Sequence, residues 1–170
     1  MNSQVPPLDR ARRQLSEAVW LYFESRDPLV VETLAEEARA NLQELMERLP
    51  AEVRRGFLEN YLVPEHHGAA EKFLRAQGEG AALEGLLFDA LSVYLHLAQE
   101  WIIEAAAFFS WMQLEKREWF RPEVLSTGGL EARRGERAFF LAFLQEAEHN
   151  GPDENGARTG RRGPGQEEGE

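Results

Sequence analysis

His96, Glu100 and Glu104 stand four residues apart from one another in the sequence. On a continuous α-helix that spacing places all three on one face. An imidazole with two carboxylates could share a metal ion if a second helix supplied further donors. The alternative is a solvated polar edge beside a buried stripe, which is the usual fate of such residues on an amphipathic helix. The adjacent histidines His66 and His67 lie beside Glu65 and Glu71. They could bind a metal or exchange protons near neutral pH, but neighbours in a turn point in different directions. Asp89 falls among Leu86, Leu87, Phe88 and Leu91. A carboxylate in that company needs a cation, for which Arg26 and Arg75 are candidates. Asp89, His96 and Glu100 facing one pocket would define a small-molecule- or metal-binding bundle with hydrolytic chemistry.

Other chemistries find no support. The chain has no cysteine, so disulfides, thiolate metal sites and thiol nucleophiles are excluded together. No glycine-rich phosphate loop, nucleophile elbow or zincin helix occurs. Ser16, Ser92 and Ser110 have no base beside them in sequence. Di-iron bundles use two Glu-x-x-His pairs, whereas this chain has one, Glu146 to His149. No catalytic residue, metal or cofactor is therefore expected.

The elements that must carry these groups are helical. From Ala81 to Phe120 the chain has no proline and three of its four tryptophans. Apolar residues recur at steps of three and four, from Leu83 and Leu87 through Leu91, Tyr94 and Ala98 to Ala105, Phe108 and Met112. That pattern predicts a long central helix with a broad buried stripe. Forty helical residues would measure about 60 Å, far beyond a domain whose radius of gyration is about 15 Å. A bend near His96 to Glu100 is expected, and an end between Leu114 and Phe120, before Arg121-Pro122.

Pro7 opens a first helix to about Glu24, with Leu8, Ala11, Leu15, Ala18, Val19 and Tyr22 inward. Asp27-Pro28 is an aspartate cap before a proline at the first helical position, and it starts a second helix that ends near Pro50. A third helix follows from Pro50 to Val63, then a turn at 65–68 and a brief helix from Ala69 to Gln77. Gly78-Glu79-Gly80 reads as a flexible break. After a loop at Ser126 to Gly129, a last helix runs from Leu130 to Glu148. From residue 150 the chain is rich in glycine, arginine and glutamate with almost no apolar residue, so 150–170 is expected as a disordered tail. The reading is an all-α bundle of five or six helices over residues 1–149.

Charge narrows the partners. The formal net charge is −11, which repels phosphate backbones and anionic lipid, so neither nucleic acid nor membrane is expected. No apolar run approaches the roughly 20 residues of a membrane span, and the lack of cysteine suits a reducing cytoplasm. Trp101, Phe108, Phe109 and Trp111 spread over more than one helical face. That surplus of aromatic surface predicts an interface, either self-association or a protein partner.

The run Val19 to Leu29, with its Arg26-Asp27-Pro28 step, is followed by Thr33-Leu34-Ala35. Together with Leu87-Phe88-Asp89-Ala90, Tyr94 and Phe109-Ser110-Trp111, it resembles a group of small bacterial helical proteins of uncharacterised function. The resemblance covers about a third of the chain and implies relatedness without an activity. HEPN bundles, which include toxin ribonucleases, form a second comparison. Their ribonucleases carry an arginine four to six residues before a histidine, and none of His66, His67, His96 or His149 has one there. The expectation is a cytoplasmic, non-enzymatic interaction or regulatory module.

Overall fold

The computed structural model describes residues 6–50 and 79–151, with side chains in the second segment described from Leu83. Five α-helices make up the described fold, with no β-strand among the described residues. They are α1 (Pro7–Phe23), α2 (Pro28–Glu47), α3 (Glu79–Ala98), α4 (Ile103–Glu115) and α5 (Arg137–His149). The helices expected over 50–63 and 69–77 lie outside the described residues, as does the expected tail beyond Gly151.

Local chemistry explains the first hairpin. Pro7 opens α1, which buries Ala11, Leu15, Ala18, Val19, Tyr22 and Phe23. At its end Ser25 adopts a left-handed φ of 56°. Its N–H donates to the carbonyl of Tyr22 and that of Arg26 to Leu21, which satisfies two terminal carbonyls. The Asp27 side chain accepts from Leu29 N–H at 2.9 Å and caps α2. The second helix then buries Val31, Ala35, Ala38 and Leu42. Alanines on the inner faces let the two helix backbones approach closely.

The long central pattern resolves into two helices. α3 starts at Glu79, so Glu79 and Gly80 are helical rather than part of a flexible break; a first helical turn tolerates glycine because its N–H groups lack intrahelical partners. α3 ends at Ala98 and α4 starts at Ile103. Between them Gln99 takes a left-handed φ of 54°, and Ile102 is extended. Neither proline nor glycine causes this break. It turns Ile102 into the core at 5% exposure and lets α4 pack against α1 and α5, so a 60 Å rod is avoided. α4 ends at Glu115, inside the expected window.

The hub of the bundle is α1, which contacts α2, α3, α4 and α5. An aromatic cluster fills the space among α1, α4 and α5. Phe23 stacks on Phe140 at 5.4 Å, while Tyr22 meets Phe108 edge-on at 5.4 Å. Trp111 packs edge-on against Phe23 and Phe140. On the other side Phe88 of α3 meets Phe109 at 4.7 Å and Phe120 at 5.7 Å.

The last helix starts later than expected. A short 3-10 turn at Glu131–Arg133 precedes Gly135, whose φ is 77°. α5 then packs through Phe140 and Leu144, with Phe139 and Leu141 partly covered.

Candidate functional site

Several polar side chains in the described bundle tie one helix to another. Ser16 of α1 donates to Glu104 of α4 at 2.6 Å. Tyr22 of α1 donates to Glu84 of α3 at 2.5 Å. The Arg137 guanidinium lies 4.2 Å from the Tyr22 ring centre and donates to the Tyr22 carbonyl at 3.2 Å. Burial first, then the charge and hydrogen bond of Glu84, raise the Tyr22 phenol well above its usual range. The phenol therefore stays protonated and serves as a donor.

Tyr94 of α3 donates to Glu100 at 2.8 Å, and Arg12 of α1 pairs with the same carboxylate at 3.6 Å. The Tyr94 phenol is pushed up to about 12, by burial first and then by its hydrogen bond to Glu100. Gln113, a buried amide on α4, donates to the carbonyl of Val124 and accepts from Ser126 N–H, which pins the following loop.

The predicted site residues fare differently. Asp89 is half-buried as expected, but its described cation is Arg39 of α2, at 2.7 Å. Arg26 pairs instead with Glu24, and Arg75 lies outside the described residues. His96, Glu100 and Glu104 do not share a helix face: His96 is on α3, Glu100 in the break and Glu104 on α4. The break rotates the later two away from the register that spacing alone implied. His96 Nε2 is buried with no hydrogen-bond partner among the described residues, while Glu100 is exposed. Among the described residues no group of three or more histidine, aspartate or glutamate side chains could hold a metal ion. His66 and His67 lie outside the described residues.

The expected aromatic interface is also corrected. Phe108, Phe109 and Trp111 are core residues, and Trp101 alone of the four is exposed, at 56%. Trp101 still rests edge-on against Phe109 at 5.5 Å. Because the helix breaks just before α4, the aromatics beyond it turn inward on a new phase.

A trough that the sequence reading did not single out runs along α1. One part, about 500 Å³, has Trp20 and Leu21 of α1 facing Ile103 of α4 and Leu144 and Ala147 of α5. Among the described residues its charged lining is acidic: Glu17, Glu24, Glu104 and Glu148. A contiguous part of about 660 Å³ continues towards Asp9, Arg12 and Arg13 and shares Ser16, Glu17 and Glu104. The α1 lining residues recur at steps of three and four, the signature of one helical face. Trp20 and Leu21, which widen the apolar stripe of α1 beyond one side, were the available signal. Their partners on α4 and α5 are about eighty or more residues away in sequence.

Chemically the trough offers carboxylates, the guanidinium groups of Arg12 and Arg13, and apolar surface, with no imidazole among its described lining residues. The Ser16 hydroxyl is held by Glu104, and Ser92 donates to the carbonyl of Phe88 within its own helix. Neither serine has the base-and-orienter arrangement of an activated nucleophile. None of the described helices is long and apolar enough to cross a membrane. Compared with known protein families, curated proteins and solved structures, the chain matches none of them.

Proposed function

We propose that this chain is a non-enzymatic protein-interaction module of regulatory type that engages its partner through the trough along α1. The observation that carries this reading is Ile103: an isoleucine 41% exposed, set beside Trp20 and Leu21 inside a concave, carboxylate-rimmed surface. Ile103 leaves apolar side-chain surface open within a concave, polar-rimmed trough, a geometry that suits a protein contact. The hydroxyls of Tyr22 and Ser16, meanwhile, join α1 to α3 and to α4. The acidic balance favours a protein over a nucleic acid or an anionic membrane, and the lack of cysteine favours the reducing cytoplasm as its compartment.

Site-specific photocrosslinking in the native host tests the reading. A benzophenone side chain at position 103 should give a discrete protein adduct, and one at Glu32 on the exposed side of α2 should not. The adduct's mass separates a different partner from a second copy of this chain. No adduct at position 103, with the protein at its native level, overturns the proposal.

A further inference from the structure

We infer that the occupant of the trough is a basic amphipathic helix, about four turns long, supplied by a partner protein; this rests on the interaction reading above. Length is the first argument. The α1 face that lines the trough runs from Asp9 to Glu24, which is about 22 Å at 1.5 Å per residue. That matches a helix of about 15 residues laid alongside α1.

Shape and patterning come second. A straight helical wall accepts a second helix by ridges-into-grooves packing. Trp20, Leu21 and Ile103 provide apolar contacts of the kind that receive side chains at i, i+3, i+4 and i+7.

Charge complementarity selects the sign of the partner. Where α5 meets the trough, Glu17, Glu24, Glu104 and Glu148 line it with no cation among the described lining residues, and of the four Glu24 is paired from outside the trough by Arg26. At the opposite end Arg12 and Arg13 offset Asp9. The fitting helix therefore carries its lysines and arginines where it meets Glu17 and Glu148, and is nearly neutral at the end beside Arg12 and Arg13. Glu24 is already paired with Arg26 and Glu104 with the Ser16 hydroxyl, so it is Glu17 and Glu148 that a neutral or acidic helix would desolvate without a compensating charge.

Selection from a displayed library of 18-residue helix-forming peptides, against the full chain, tests the assignment. Selected sequences should place apolar residues at i, i+3, i+4 and i+7, with lysine or arginine flanking one end. Binding measured by fluorescence anisotropy should weaken at least tenfold in Ile103→Asp and in the double variant Glu17→Gln/Glu148→Gln. The advantage of the basic peptides should shrink with added salt. All substituted positions are exposed or on the trough surface, and circular dichroism checks that both variants remain folded. Recovery of acidic peptides, binding indifferent to both variants, or failure to select any helix overturns the inference. If position 103 still crosslinks a protein in that event, the interaction reading stands and only the basic helix is lost. If both experiments fail, both readings fall.

Discussion

The hydroxyl of Tyr22, on α1, donates to the carboxylate of Glu84, on α3, across 62 residues of sequence and 2.5 Å of space. Tyr22 is 3% exposed, so the bond is made where water competes poorly. Hydrogen bonds to charged groups are worth about 1.5–3 kcal/mol. Tyr22→Phe should lower unfolding stability by about that much, read from urea midpoints at pH 7. A double-mutant cycle with Glu84→Gln should return a coupling of at least about 1 kcal/mol. Additive effects would show that the bond contributes nothing.

Alkaline pH provides a second check. The Tyr22 and Tyr94 phenols both lie above the unfolded value of about 10. Between about pH 10 and the folded values the unfolded chain loses these protons while the folded chain keeps them, so stability falls as pH rises. Their contribution is fully present below about pH 10 and is lost through the folded value of about 12 for Tyr94. Denaturant titrations from pH 8 to 11.5 should show the decline, and the Tyr22→Phe/Tyr94→Phe variant should have a shallower slope. Equal slopes would contradict both shifts.

The corner between α1 and α2 tests local geometry. Ser25 holds a left-handed backbone that costs an ordinary residue about 1–2 kcal/mol and glycine almost nothing. Glycine's greater freedom in the unfolded chain returns about 0.5–1 kcal/mol of that. Ser25→Gly should therefore raise stability by about 0.5–1 kcal/mol, and Ser25→Val should lower it. Removing the neighbouring cap with Asp27→Ala should cost about 1 kcal/mol. Thermal unfolding of the three variants gives the ranking.

The aromatic assignments separate by truncation. Phe108 is fully buried, and its replacement by alanine should cost about 3–5 kcal/mol through lost burial and a cavity. Trp101→Ala removes a largely exposed ring and one edge-on contact with Phe109, so it should cost no more than about 1.5 kcal/mol. Comparable losses at the two positions would restore Trp101 to the core.

Much of the helical framework could be read directly because its causes are local. The Asp27-Pro28 start of α2 depends on a side chain and a ring within two residues of each other. The inward faces of α1 and α2 follow from 3.6-residue periodicity. The break at Gln99 to Ile102 has no proline or glycine to announce it, and only the length of the pattern places a bend near His96 to Glu100, where the chain does break. It arises because burying Ile102 and packing α4 against α1 and α5 outweighs four residues of helical hydrogen bonding. That one event separates His96 from Glu104 and turns Phe109 and Trp111 inward beside Phe108, which the periodicity already places in the buried stripe. Separately, Arg39 rather than Arg26 meets Asp89 because α2 packs on α3, and partner choice across that contact is not encoded in sequence spacing.

By itself the amino-acid sequence determined the helical class, the proline-opened starts of α1 and α2, the strongly acidic charge and the absence of thiol chemistry. Each follows from composition or from neighbours within a turn or two. Only the tertiary structure decided which apolar side chains remain at the surface and which carboxylates converge around Trp20, Leu21 and Ile103. Those outcomes depend on long-range packing, where burial of one face competes with burial of another and only the assembled bundle decides between them.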